Sequence, residues 1–337
     1  MIVLGIETSC DETASSVVKN GKDILSNEVS SSLNFHKKYG GIVPEIAFRK
    51  QLETIAAVTD CALKEAGLKI KDIDLISVTN APGLLGSLLV GISFAKALSL
   101  NLGIPLVGVN HLHGHIYANF LEKDLSLPAV SLIVSGGHTS LFYLKDFKNI
   151  QTLGTTFDDA CGEAFDKVAK ILNLGYPGGP IIERLAKRGS PKIKFSCSNP
   201  KKPLDFSFSG IKTAVLYYAR KHLAGSRHYS ASSSEGQSQL IYDVCASFQE
   251  AAINTLIEKS FLACKLKKSK KLLIGGGVAA NSRLRERFRA AADSDEIKVF
   301  FPQRRFCLDN AAMVAGIGYA LFKKGRHSDL YLSANLN

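Results

Sequence analysis

Three histidines within five positions, His111-Leu112-His113-Gly114-His115, are the sharpest chemical feature of the chain. On a helix, residues four apart share a face, so His111 and His115 can aim two imidazoles at one metal ion while His113 points elsewhere. The plainer reading is a helix start with three hydrogen-bonded histidines. Two ligands are too few, and the candidate third is Asp309, in Cys307-Leu308-Asp309-Asn310-Ala311-Ala312. Its plainer reading is an N-cap aspartate at the start of the last helix.

Glycine-rich turns form the second group. Ser135-Gly136-Gly137-His138-Thr139 offers consecutive backbone N–H groups and a hydroxyl, a concavity for anionic oxygens or simply a glycine hairpin. Gly275-Gly276-Gly277-Val278-Ala279-Ala280-Asn281 links a buried strand to a helix, where a ligand gains close backbone approach and a helix N-terminus. It is neither a P-loop nor a dinucleotide fingerprint, because no Lys-Ser/Thr follows and the glycine spacing differs. Tyr176-Pro177-Gly178-Gly179-Pro180 precedes a helix carrying Glu183, a candidate for ribose hydroxyls or a solvated first-turn acid. Carboxylates crowd Asp158, Asp159, Glu163 and Asp166, and Asp11 and Glu12 add two more at the first turn. Beside a polyanion such groups are costly unless they bind metal, hold sugar hydroxyls or move protons.

The elements that must position these groups follow from the apolar pattern. Strands are expected at Ile2–Ile6, Ala14–Val18 and Ile24–Val29, with Asn20-Gly21 as a hairpin turn. A helix from Pro44 to Ala66, closed by Gly67, precedes a strand at 75–79, a helix at 84–100 and a strand at 106–109. The order restarts at Ala129. Strands at 129–134, 140–144 and 150–153 lead into helices at 160–172 and 180–187. Later come a strand at 272–274, a helix at 282–292, a strand at 298–301 and a last helix at 310–322. The pattern implies a duplicated α/β fold. Its lobes are expected at 1–125, completed by 303–337, and at 126–302, with a polar, mobile insert at 225–238.

At 337 residues, 46% apolar and 21% charged, the chain has the make-up of a two-domain globular protein, which excludes disordered and fibrous classes. Seven scattered cysteines without a Cys-x-x-Cys pair argue against a zinc ribbon and a disulfide framework. No basic leader precedes the first strand, and Asn80-Ala81-Pro82-Gly83 breaks the one long uncharged stretch, so a cytoplasmic protein without a membrane span is expected. The net charge of +12 is uneven: residues 1–180 hold 15 basic and 18 acidic side chains, and residues 181–337 hold 27 and 12. The second half therefore carries the field that draws a polyanion. Lys265, Lys267, Lys268, Lys270 and Lys271, and Arg283, Arg285, Arg287 and Arg289, are its two densest clusters.

Taken together, these motifs resemble one family across nearly the whole chain, the universal tRNA threonylcarbamoyladenosine transferases in their bacterial form. The resemblance also rests on Gly5-Ile6-Glu7-Thr8-Ser9-Cys10-Asp11-Glu12-Thr13-Ala14, Gly41-Ile42-Val43-Pro44-Glu45, Asn80-Ala81-Pro82-Gly83-Leu84 and Phe206-Ser207-Phe208-Ser209-Gly210. It implies an actin/Hsp70/sugar-kinase (ASKHA) fold, two ribonuclease-H-like lobes around a nucleotide cleft. It further implies transfer of a threonylcarbamoyl group from threonylcarbamoyl-adenylate, with release of AMP. The acceptor is N6 of the adenosine just 3′ of the anticodon, in tRNAs reading codons that begin with A.

By this resemblance His111, His115 and Asp309 hold one divalent metal ion, Fe2+ or Zn2+. Val134, Ser135, Gly136, Gly137, His138, Asp166, Gly179, Glu183 and Asn281 hold the adenylate. The amine must shed a proton, and Asp11 and Glu12 are the candidates for assisting. The implied partners are a smaller inactive paralogue as heterodimer partner and a P-loop ATPase, with a separate synthase supplying the adenylate. Val134 and His138 stand where the archaeal and eukaryotic branch has Tyr and Asn, and Leu308 stands where Thr is expected.

Three other readings compete. A sugar- or acetate-kinase-like phosphotransferase would use Glu7 for Mg-ATP and needs no paired-histidine site. A nucleotide-gated binding protein would need neither the histidines nor Asp309. A zinc peptidase would need Glu where Leu112 stands.

Overall fold

In the computed structural model, which describes residues 1–121, 123–198, 200–223 and 235–335, the opening apolar run is strand β1 (Ile2–Glu7), buried from Val3 onward. β2 (Glu12–Lys19) and β3 (Asp23–Ser31) follow as a meander. Asn20 and Gly21 both take positive φ, 53° and 75°, the backbone that an Asn-Gly hairpin requires. After a single turn of helix, α1 (Leu33–His36), come α2 (Pro44–Glu65), β4 (Leu75–Ala81), α3 (Leu85–Leu102), β5 (Leu106–Asn110) and α4 (His111–Tyr117). The sheet order is β3-β2-β1-β4-β5, with β4 and β5 parallel to β1.

A second unit repeats the plan. It contains β6 (Ala129–Val134), β7 (Thr139–Leu144), β8 (Ile150–Thr155), α5 (Cys161–Ile171), α6 (Gly178–Ala186), α7 (Ser209–His222) and α8 (Glu235–Leu266). β9 (Lys271–Gly275), α9 (Ser282–Asp295) and β10 (Lys298–Phe300) complete it. The order β8-β7-β6-β9-β10 is that of the first sheet, strand for strand. The final helix, α10 (Ala311–Phe322), belongs to the first unit, which comprises 1–127, 146–149 and 302–337; the second comprises 128–145 and 150–301.

α10 lies unusually close to the first sheet, and a glycine permits it. A Cβ on Gly5 would stand 2.2 Å from the Ala311 carbonyl oxygen, so only glycine lets the start of α10 rest on β1. That contact brings the turn before α10, with Asp309, to the strand that ends in Glu7. α3 is long and apolar enough to cross a membrane by composition, but Leu88, Ile92 and Ala95 are buried in the core of the first unit. Its outward face exposes Leu85 and Leu89.

α7 and α8 are not legible in the sequence pattern. α8 buries Asp243, Ser247, Gln249, Lys259 and Ser260, polar side chains that blur its apolar stripe. The expected insert at 225–238 lies outside the described residues up to 234, and 235–238 are the first turn of α8 rather than loop.

The Asp158-Asp159 pair does structural work in the second unit. Asp159 takes Lys167 at 2.6 Å and Lys212 at 2.7 Å, tying α5 to α7. Burial raises its carboxyl, but the two ammonium groups outweigh that and hold it below the usual range. The stabilisation is therefore complete above the unfolded carboxylate pKa of about 4 and fades as pH falls through the lower folded value. Asp159→Asn is expected to cost about 1–2 kcal/mol at pH 7. Urea unfolding at pH 7 and pH 3 checks this, since the gap between variant and wild type should narrow in acid.

Candidate functional site

In the first unit, β5 delivers the chain directly into α4. Asn110 is the N-cap, its side-chain oxygen accepting from the N–H groups of Leu112 and His113. His111 and His115 therefore stand one turn apart, both buried, with ring centroids 4.6 Å apart. His115 Nε2 lies 3.1 Å and His111 Nε2 3.6 Å from Asp309 Oδ1. Asp309 is not the N-cap of α10; Asn310 is, accepting from Met313 N–H. The helix thus leaves the Asp309 carboxylate to the histidines.

One donor atom from each of His111, His115 and Asp309 lies within 4.8 Å of the others, a group that could hold a metal. Tetrahedral ligands at about 2.1 Å from an ion stand about 3.4 Å apart, close to the 3.6 and 3.1 Å from the two histidines to Asp309. His115 Nδ1 is buried without a partner among the described residues, and Nε2 is the atom that meets Asp309. Burial pulls the pKa of His111 down, yet the Asp309 and Glu7 carboxylates outweigh it and lift it to about 9. The same field favours any cation placed there.

Glu7 is the last residue of β1 and is fully buried. Its carboxylate accepts from Ser9 N–H at 2.5 Å and Thr79 Oγ1 at 2.6 Å, and lies 3.1 Å from His111 Nδ1. Burial would raise this carboxyl, but His111 and Ser9 hold it below its ordinary value. Ser9 Oγ is also 3.0 Å from His111 Nδ1. With Glu7 accepting the Nδ1 proton, Nε2 is left as the ligating atom, the usual outer-shell arrangement of a metal-bound histidine. Sequence reasoning offers Glu7 only as the nucleotide carboxylate of a kinase. The signal for the other role is an acid ending a wholly buried strand.

Asp11 ends the turn between β1 and β2, and Glu12 opens β2. Gln51 of α2 fixes that turn, its Nε2 donating to the carbonyls of Thr8, Cys10 and Glu12. Asp11 is buried. Burial, with Asp309 and Asp11 nearby, pushes the Glu12 carboxyl up to about 10.

The second unit gathers the glycine turns. Ser135 closes its own turn, its N–H donating to His138 O and its Oγ accepting from His138 N–H. Gly136 and Gly137 are exposed, with no N–H partner among the described residues. The start of α5 abuts them: Gly162 N–H donates to Ser135 O and Cys161 N–H to Thr139 Oγ1. A helix N-terminus thus stands behind the turn, which the sequence does not reveal. Gly276, at φ +90°, has its absent Cβ 2.4 Å from the Val134 carbonyl oxygen, so the two glycine turns touch.

The remaining expected adenylate residues are close by chain and contact, but several carry structural duties. Asp166 Oδ1 accepts from Gly178 N–H at 2.7 Å, and Glu183 Oε1 from Ser282 N–H at 2.9 Å. Asn281 is the N-cap of α9 and donates to Gln249. Glu183 is therefore not a solvated first-turn acid. Gly179 faces open space.

The basic clusters are arranged differently from their spacing. Arg283 and Arg287 pair with Glu250, and Arg285 and Arg289 lie over the Phe301 ring. Lys270 pairs with Glu296, and Lys267 bonds Gln151. Lys265, Lys267, Lys268 and Lys270 precede β9 and Lys271 opens it, at the opposite end of that strand from Gly275–Gly277, about 16 Å along the sheet. A cavity of ≈ 520 Å³ lined by Lys265, Lys268 and Lys270 lies at this far end.

Comparison with known proteins gives concordant results. Residues 23–316 match the family model described as "TsaD: tRNA N6-adenosine threonylcarbamoyltransferase". The chain is 50% identical over 336 residues to a tRNA N6-adenosine threonylcarbamoyltransferase of Kosmotoga olearia, covering 99% of this chain and 97% of the relative. Among solved structures it is similar to T. kodakarensis HypF, with a TM-score of 0.64, 14% identity and coverage of 96% of this chain and 48% of that one. It is also similar to component A of the (R)-2-hydroxyglutaryl-CoA dehydratase of Acidaminococcus fermentans, with a TM-score of 0.54, 15% identity and coverage of 97% and 100%. These two likenesses bear on the ASKHA-type fold alone.

Proposed function

The chain belongs to the tRNA N6-adenosine threonylcarbamoyltransferase family, an acyltransferase acting in tRNA threonylcarbamoyladenosine modification, and we propose how its residues divide the work. His111, His115 and Asp309 hold one divalent ion, Fe2+ or Zn2+. The single observation that carries this is the convergence of both Nε2 atoms on Asp309 Oδ1 within a buried pocket. Bound there, the ion supplies Lewis-acid polarisation of the carbamoyl carbonyl.

The other steps fall to the chain itself. The N–H groups of Gly136 and Gly137, backed by the N-terminus of α5, receive the adenylate phosphate and steady it as charge builds on the leaving group. Val134, Ser135, His138, Asp166, Gly179, Glu183 and Asn281 complete the adenylate site. N6 of the adenosine attacks the carbamoyl carbon, the bond from that carbon to the phosphate oxygen breaks, and AMP leaves with the electron pair. Asp11 or Glu12 takes the proton lost by the amine. The target base lies in a single-stranded loop, which can be splayed out at small cost.

The working assembly adds a smaller inactive paralogue and a P-loop ATPase in the cytoplasm. The apolar outer face of α3, with Leu85 and Leu89, together with Leu52 of α2, supports a protein contact on the first unit. The overall test is AMP release and tRNA modification by the chain with its partners, given adenylate and tRNA, with and without chelation. Full transfer after complete chelation would sink the metal assignment.

Glu7 supplies a finer test as a positioning residue. Glu7→Gln should weaken metal binding about 10- to 100-fold, the usual cost of losing a carboxylate behind a ligating histidine. Competition with a chromophoric zinc chelator reads this directly, independent of transfer. Unchanged affinity would mean that Glu7 is structural only.

A further inference from the structure

The segment between β3 and α2 exposes aromatic rings beside ammonium groups, directly against the Asp11 turn. Phe35 is 49% and Tyr39 55% exposed. Lys50 Nζ stands 4.9 Å from the Phe35 ring centroid and Lys38 Nζ 4.9 Å from that of Tyr39. Lys37 bonds Asn34, and neither Lys37 nor Lys38 has a carboxylate partner among the described residues. On α2, Glu45 pairs with Arg49 and Glu53 with Lys50.

The segment is held in place by a buried relay. Ser32 donates twice to the Asp11 carbonyl, from its N–H at 3.1 Å and its Oγ at 2.8 Å. His36, fully buried, accepts from Val43 N–H through Nδ1, so its Nε2–H donates to Ser32 Oγ. The backbone carrying Phe35 and Tyr39 is thereby fastened to the turn whose Ser9 touches His111.

Exposed rings with ammonium groups over their faces suit flat π systems joined by phosphates better than an apolar protein surface. Bases stack on such rings whatever their identity, and the lysines meet the backbone between them. We propose that Phe35 and Tyr39, with Lys37 and Lys38, form a stacking platform for unpaired bases of the tRNA anticodon loop beside the adenosine being modified. This deepens the tRNA reading above and rests on it.

The test uses the full chain with its partner proteins and a fluorescent anticodon stem-loop carrying the target adenosine, with anisotropy read at several salt concentrations. Phe35→Ala/Tyr39→Ala should weaken binding about tenfold or more, the scale of removing one or two base stacks, with the salt slope kept. Lys37→Ala/Lys38→Ala should lower the slope by about 0.7 for each phosphate that is no longer neutralised. Phe35→Tyr/Tyr39→Phe should bind like wild type. In transfer, the alanine pair should raise KM for tRNA and leave kcat at saturation unchanged. Should that pair lose stability, the lysine pair decides through the slope. Unchanged RNA affinity in the aromatic pair with an unchanged slope in the lysine pair overturns the proposal. So does loss of partner-protein binding with RNA affinity intact, which would make the surface a protein contact. Failure of the wild-type assembly to modify tRNA at all would instead strike the functional reading itself.

Discussion

Asp309→Ala is expected to cut threonylcarbamoyl transfer by about three orders of magnitude while thermal unfolding stays near wild type. The size follows from losing several kcal/mol of charge stabilisation at the carbamoyl carbonyl, each 1.4 kcal/mol being about a factor of ten. Stability should hold because Asp309 is partly exposed and does not cap α10; Asn310 does that. His111→Ala and His115→Ala should be as damaging to transfer but less clean, since His115 is wholly buried and its removal leaves a cavity. Asp309→Asn keeps the shape and removes the charge, so it separates ligation from packing. Metal content by elemental analysis must fall with activity across all four variants. An Asp309→Ala enzyme with wild-type transfer would end the metal assignment.

How much of this is legible in the sequence depends on whether a feature is local. The Asn20-Gly21 hairpin, the Pro44 start of α2 and the i, i+4 spacing of His111 and His115 are written within a few residues, and the structure has them all. The repeat of the strand order is legible because each buried strand is a short apolar run bounded by turn residues. Glu7 is not, because its role exists only once β1, β4 and α4 bring Thr79 and His111 to it from 72 and 104 residues away. The arginines of α9 mislead for a similar reason. Their charge is visible in the sequence, but Glu250, 33 and 37 residues earlier, is what two of them meet. The backbone bonds of Asp166 and Asn281 are hidden likewise, since a polar residue near a glycine turn reads the same whether it serves ligand or backbone.

Asp11→Asn should lower kcat about 10²- to 10⁴-fold, the usual worth of a positioned proton acceptor, with KM for tRNA and adenylate nearly unchanged. Adenine N6 is a weak nucleophile because its lone pair is delocalised into the ring, so proton removal must accompany attack on the carbamoyl carbon. Asp11 and Glu12 are neighbours where the first turn enters β2, and Gln51 of α2 fixes the backbone there by donating to the carbonyls of Cys10 and Glu12. Burial beside Asp309 and Asp11 raises the Glu12 carboxyl, which favours its neutral form and makes it the poorer proton acceptor. Glu12→Gln should therefore cost less than Asp11→Asn, because an amide can still donate where a protonated carboxyl did. Both variants should keep the metal, which distinguishes them from the Asp309 series. Single-turnover transfer with preformed adenylate and saturating tRNA measures the step itself. A Glu12→Gln enzyme slower than Asp11→Asn would reverse the assignment, and wild-type rates in both would remove the pair from the chemistry.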